Sequence, residues 1–194
     1  MSQLNTSFTA QSTTPFAHFR VDDLLSENLA ARVLDWLRND APWQLVIEEF
    51  YEQYEFSLLS SPLPEDLNFL TSPDFIASIE SLLSAGLTYM GKITMVEIAA
   101  HKLVPGQTIR VHNDFIGEEE THRMLIQVNE GWDADKGGLL MLFNSRRPED
   151  IADIVVPDHN SGFGFEISPQ SFHAVSTIHN GERFTLVYTF RRAQ

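Results

Sequence analysis

Residues 108–114 read Thr-Ile-Arg-Val-His-Asn-Asp, a short β-rich run that closes on a His-x-Asp pair. Pro105-Gly106 supplies a turn in front of it, so the predicted strand is Thr108–His112. Side chains two apart on an extended segment point to the same side, which lets His112 and Asp114 reach one ion. An isolated pair of this kind is more often a surface turn, and the flanking sequence decides the matter. Further short strands are predicted at Ile93–Leu103, Met124–Asn129, Leu139–Phe143, Ile151–Val156, Gly164–Ile167, His173–Ser176 and Phe184–Phe190. Turn signals separate them at Gly137-Gly138, Pro157-Asp158, Pro169 and Asn180-Gly181. So many short strands point to a closed or sandwiched β architecture.

Upstream of this region the pattern is helical. From Ser26, a plausible N-cap, Leu29, Val33, Trp36 and Leu37 recur at helical spacing up to Asn39-Asp40, ahead of Pro42. A second helix is predicted from Ser72-Pro73-Asp74, with Phe75, Ile76, Ile79, Leu82 and Leu83 on one face and a stop near Gly86. Between the two, Trp43 to Phe50 is β-rich and precedes a loop with Pro62 and Pro64. The fold class expected is mainly β with supporting α-helices (α+β), the helices packed on one sheet. One domain over 1–194 is predicted: a loose polar arm (1–15), a helical support region (16–90) and a β core (91–192).

Composition narrows the function. The chain has no cysteine, which excludes disulfides, iron–sulfur clusters and thiolate zinc sites and leaves only N and O ligands for a metal. A formal net charge of −14 repels phosphate backbones and anionic membranes, so nucleic acid and membrane partners are not expected. No apolar run suits a bilayer span and the first ten residues lack the character of a secretory signal, so the expected location is cytoplasmic.

Downstream of the His-x-Asp pair, Ser171-Phe-His173-Ala-Val carries a second histidine on a β segment. Two imidazoles and one carboxylate can hold one face of a first-row metal ion and leave the opposite positions open, as in non-haem iron oxygenases. Ten residues beyond His173, across the Asn180-Gly181 turn, Arg183 puts a cation on the next strand, where its fork suits a carboxylate.

With these residues in place, the chain resembles the iron(II)/2-oxoglutarate-dependent dioxygenases, and within them the prolyl-4-hydroxylase-like branch. The likeness covers roughly residues 90–192. It is carried by Leu125-Ile-Gln-Val-Asn129-Glu-Gly-Trp132-Asp133 with Gly137-Gly138, by Pro157 and the Gly162–Ile167 segment, and by His173-Ala-Val and Gly181-x-Arg183. The resemblance implies a double-stranded β-helix (jelly-roll, cupin-like barrel) in which His112, Asp114 and His173 bind Fe(II) and Arg183 pairs with the distal carboxylate of 2-oxoglutarate, with dioxygen as the other co-substrate. Thr185 shares the strand face of Arg183 and is expected to add a hydrogen bond to that carboxylate. Gln127 stands where relatives often carry a tyrosine and is assigned to the same contact through its amide. Leu103-Val104 stands where relatives commonly carry an aromatic residue. Asp114 favours hydroxylation, because halogenating relatives lack that carboxylate. The implied activity is hydroxylation of an unactivated C–H bond in a residue of a peptide or protein, or in a free amino acid. The alternative is a cupin-like metal-binding module or isomerase without oxygen chemistry.

Arg110 has the strand parity of His112 and is a candidate substrate contact. Trp132 is expected to pack the strand connection, while His101, His122, His159 and His179 lack a matching carboxylate and are expected to be surface or satisfied residues. The run Glu118-Glu119-Glu120 lies close to the metal pair and is able to attract a basic substrate.

Overall fold

Both helices form where the apolar periodicity places them. In the computed structural model, which describes residues 4–193, the chain runs β1 (Phe8–Ser12), β2 (His18–Val21), α1 (Glu27–Asn39), β3 (Gln44–Ile47), β4 (Glu52–Ser57), α2 (Pro73–Gly86), β5 (Ile93–Leu103), β6 (Ile109–His112), β7 (His122–Gln127), β8 (Leu140–Phe143), β9 (Ile151–Val155), β10 (Ser161–Glu166), β11 (His173–Val175) and β12 (Arg183–Arg192). Helix α1 buries Ala30, Val33, Leu34, Trp36 and Leu37 on one stripe. At the start of α2 the Ser72 hydroxyl accepts from Phe75 N, and Pro73 occupies the first turn, where its missing N–H costs nothing. None of the described helices is long and apolar enough to cross a membrane.

The strands form two antiparallel sheets, one ordered β1-β2-β10-β7-β12-β5-β4-β3 and the other β6-β11-β8-β9. This is the double-stranded β-helix expected. Alternation along the central strands decides which residues meet the helices: Ile98 and Ala100 of β5, Met124 and Ile126 of β7, and Leu186 and Tyr188 of β12 are buried with Trp36, Leu37, Ile79 and Leu83 in one core. Each Ile, Leu or Met side chain among these contributes about 1.5–3 kcal/mol by leaving water, so this helix-backed face anchors the large sheet. Tyr188 also donates its hydroxyl to Leu70 O at 2.9 Å. Gly86 of α2 and Gly164 of β10 both abut the Phe19 ring, where an added Cβ would lie 2.2 Å from it; the helix reaches the sheet because both lack one.

Three expectations are corrected. The arm predicted as loose contains β1, paired with β2, which in turn pairs with β10, so it extends the large sheet; residues 1–3 of the arm lie outside the described residues. Within the region assigned to helical support, β3 forms inside the β-rich stretch Trp43 to Phe50 as read, while the unexpected β4 joins both to the large sheet by pairing with β5. The strand expected at Met124–Asn129 runs from His122 to Gln127, and Asn129 instead turns its amide inward, accepting from Phe184 N at 2.6 Å and donating to Pro157 O at 3.0 Å.

Candidate active site

β6 and β11 are neighbours, and their pairing sets His112 directly opposite His173 with ring centroids 4.3 Å apart. Each ring is held by its own chain: His112 Nδ1 lies 2.8 Å from Arg110 O, and His173 Nδ1 lies 2.8 Å from Ser171 O. A carbonyl only accepts, so both Nδ1 atoms carry the proton and both Nε2 atoms present lone pairs. Asp114 follows β6 in the left-handed region, φ 55°, a conformation Asp tolerates better than most residues. That turn brings its carboxylate back to 3.4 Å from His112 Nε2 and 3.2 Å from His173 Nε2.

The three ligand atoms all lie within 4.8 Å of one another. Converging lone pairs of two neutral imidazoles and a carboxylate repel unless a cation lies between them, so this donor set fits a divalent first-row metal. Burial alone would raise the Asp114 pKa, yet Arg123 and the two imidazoles hold it well below the usual carboxylate range. Burial, with His112 beside it, lowers the His173 pKa against the pull of Asp114 and favours the neutral ligand form.

On the facing sheet, strand register lays the inward side chains out in rows. Arg183 and Leu103 form one; Gln127, Thr185, His101 and Glu55 the next; Leu125, Val187, Ala99 and Ser57 a third; Arg123, Thr189 and Glu97 a fourth. Most of these residues, with the triad, Phe50, Tyr51, Glu120, Leu140 and Phe165, line a cavity of about 320 Å³.

Arg183 is 4% exposed, and burial pushes its pKa down to about 10. Its Nη1 donates to Thr185 Oγ1 at 2.9 Å, its Nε has no partner, and among the described residues no carboxylate stands within ion-pair distance of it. A buried cation without an anion costs several kcal/mol, so this position fits a ligand carboxylate. Thr185 shares the cavity and donates its hydroxyl to Gln127 Oε1 at 2.8 Å. Gln127 is joined to Arg183 through that relay, while its side chain lines a neighbouring cavity with Leu140 and Phe163.

Arg110 is a departure. A register irregularity between β6 and β11 breaks the two-residue alternation, so Ile109 and His112, three apart, both face the cavity. Arg110 is exposed, lines a separate groove and donates to Glu49 O at 2.5 Å; its service to the site is its own carbonyl, which orients His112.

Sequence reasoning passed over Arg123 and expected His101 to be a surface or satisfied residue, whereas it lines the cavity. Arg123 is half-buried and donates to Asp114 Oδ2 and Glu120 Oε2, both at 2.5 Å, so it fixes a candidate metal ligand from behind. A signal was present, since Arg123 has the parity of Leu125 and Gln127 on β7. His101 lines the cavity, its pKa lowered to about 3 by burial, Arg123 and Arg183. Trp132 packs the connection as expected, donating from Nε1 to Gly137 O at 3.0 Å. Glu120 belongs to the cavity, whereas Glu118 and Glu119 line a separate groove with Arg191 and Arg192.

Comparison with known proteins agrees with this geometry. Residues 98–191 match the family model of the 2OG-Fe(II) oxygenase superfamily. Mouse prolyl 3-hydroxylase OGFOD1 is 24% identical over 144 residues, covering 70% of this chain and 26% of its own, so the chain spans about a quarter of that relative. Among solved structures, a Pseudomonas putida prolyl-4-hydroxylase aligns with TM-score 0.71 and 19% identity over 91% of this chain and 93% of that one. The Trichoplax adhaerens prolyl hydroxylase, solved with a hypoxia inducible factor peptide, aligns with TM-score 0.71 and 14% identity over 90% and 83%. These structural likenesses bear on the fold alone. The stretch from 98 to 191 thus resembles the 2OG-Fe(II) oxygenase superfamily, and the barrel is like that of a prolyl-4-hydroxylase.

Proposed function

We propose that the protein is an Fe(II)- and 2-oxoglutarate-dependent dioxygenase that hydroxylates an unactivated C–H bond of an amino-acid residue in a peptide or protein, or of a free amino acid. The observation that carries this reading is one cavity holding both a two-His, one-Asp donor set and a buried arginine without an anion. A metal-binding module without a co-substrate leaves Arg183 unexplained.

His112, Asp114 and His173 would hold the iron, and Arg183 would receive the distal carboxylate of 2-oxoglutarate, as a planar fork suited to bidentate pairing. When bound, iron(II) and 2-oxoglutarate supply the means of turning dioxygen on a C–H bond. The chain's own part is positioning. Arg110 O and Ser171 O fix the imidazole tautomers, Arg123 fixes the Asp114 carboxylate, and Thr185 and Gln127 steady the arginine. Leu125, Leu140, Phe165 and Val187 give the cavity an apolar wall that excludes water from the reacting face.

The test is incubation of free amino acids and short peptides with the protein, Fe(II), 2-oxoglutarate and dioxygen, read by mass spectrometry. The expected product carries one added oxygen atom, with succinate released in step. Product that forms without 2-oxoglutarate would overturn the reading.

A further inference from the structure

Opposite the triad, the cavity wall formed by β4 and β5 is rich in acceptors that the site as described leaves unused. Glu55 and Glu97 both line the cavity. Glu97 Oε1 accepts from Ser57 Oγ at 2.6 Å and from Ile98 N at 2.9 Å; Glu55 Oε2 accepts from Gln53 Nε2 at 2.7 Å. Among the described residues neither carboxylate meets a lysine or arginine within ion-pair distance; the nearest cationic candidate is His101 Nε2, 4.0 Å from Glu55. His101 stays neutral at ordinary pH, because burial, Arg123 and Arg183 all oppose its protonation.

The second observation is independent of charge. Gln53 is 2% exposed and lines the same cavity, and its Oε1 is buried without a hydrogen-bond partner. Its amide orientation is settled by Glu55, which as a carboxylate requires the NH₂ group on its side. A buried carbonyl with no donor costs about 1–3 kcal/mol, so the wall lacks a hydrogen-bond donor as well as a cation.

The wall lies close to the metal ligands. Tyr51, Gln53, Glu55 and Glu97 line the same cavity as His112, Asp114 and His173. The remaining cations of the cavity are committed: Arg123 to Asp114 and Glu120, and Arg183, under the function proposed above, to 2-oxoglutarate.

We infer that Gln53 and Glu55 form a subsite for a cationic group, with Glu97 adding negative charge farther along the same wall, so that the substrate is a basic residue or amine whose ammonium or guanidinium rests beside Gln53 and Glu55. This inference deepens the proposed function and rests on it. A guanidinium or ammonium supplies both the missing charge and the missing donor, which a prolyl ring does not.

The test uses the unaltered protein loaded anaerobically with Zn(II) and 2-oxoglutarate, and calorimetric titration with blocked Gly-X-Gly peptides in which X is Lys, Arg, citrulline, norleucine or Pro. The Lys or Arg peptide is expected to bind at least tenfold tighter than its neutral counterpart, with the preference shrinking in high salt. Glu55→Gln should weaken the charged peptide several-fold and leave the norleucine peptide unchanged, while Glu97→Gln should have the smaller effect. Equal affinity for charged and neutral peptides, no binding of any of them, or tightest binding of the prolyl peptide overturns the subsite. A separate titration of 2-oxoglutarate reports on the parent reading: if the co-substrate binds and no cation preference follows, only the subsite fails.

Discussion

Arg123 donates from Nη1 to Asp114 Oδ2 at 2.5 Å and from Nη2 to Glu120, so one largely buried guanidinium neutralises a candidate metal ligand and its acidic neighbour together. Removing it leaves two partly buried carboxylates close together without a counter-charge. Arg123→Ala should therefore lower the stability of the metal-free protein by about 3–5 kcal/mol, the usual cost of stranding a buried charge. Divalent metal relieves the Asp114 charge, so Zn(II) should raise the variant's unfolding midpoint by more than it raises the wild type's. Equal shifts in both proteins would show that Arg123 does not support the ligand.

Gly138 has φ 65°, and a Cβ there would lie 2.5 Å from Ile178 Cδ1 and 3.0 Å from Arg183 Cδ. Gly138→Ala should cost about 1–2 kcal/mol for the left-handed backbone alone. The added methyl should also displace Arg183 and weaken 2-oxoglutarate binding by an order of magnitude or more. Titration of the co-substrate checks this; unchanged affinity would mean that Arg183 does not receive it.

His122 is 1% exposed, and its pKa is lowered to about 4 by burial first and then by Arg192. The unfolded chain, with a pKa near 6.5, takes up the proton first. Its contribution to stability is thus fully present above about pH 6.5 and declines as the pH falls toward 4. Urea unfolding at pH 7.5 and pH 5 should show the loss, and His122→Leu should shrink it. The same slope in both proteins would remove His122 as its cause.

Much of the barrel and its ligands was legible in the sequence because the helix-facing sides of β5, β7 and β12 are apolar and the turns carry glycine or proline. β4 was not legible, for a physical reason. Its inward residues Gln53, Glu55 and Ser57 face a polar cavity, so Glu52–Ser57 lacks the run of apolar residues that marks a buried strand. Arg110 was misplaced because strand parity assumes a regular ladder, and the β6–β11 pairing is irregular between Ile109 and His112, the interval that holds it. Arg123 stayed hidden since a lone arginine in the apolar stretch Met124-Leu125-Ile126 shows its purpose only once Asp114 is folded against it. His112, Asp114, His173 and Arg183 were legible together because the turns that bring them near one another are themselves visible.

The central claim is that the triad and Arg183 bind one metal and one co-substrate in a shared site. Anaerobic titration of the protein with Fe(II) and then 2-oxoglutarate tests it most directly. The wild type should develop the visible metal-to-ligand charge-transfer band of chelated 2-oxoglutarate. In Arg183→Ala the band should need at least tenfold more co-substrate, and in His112→Ala it should be lost. Absence of the band in the wild type, or its persistence in His112→Ala, would contradict the claim.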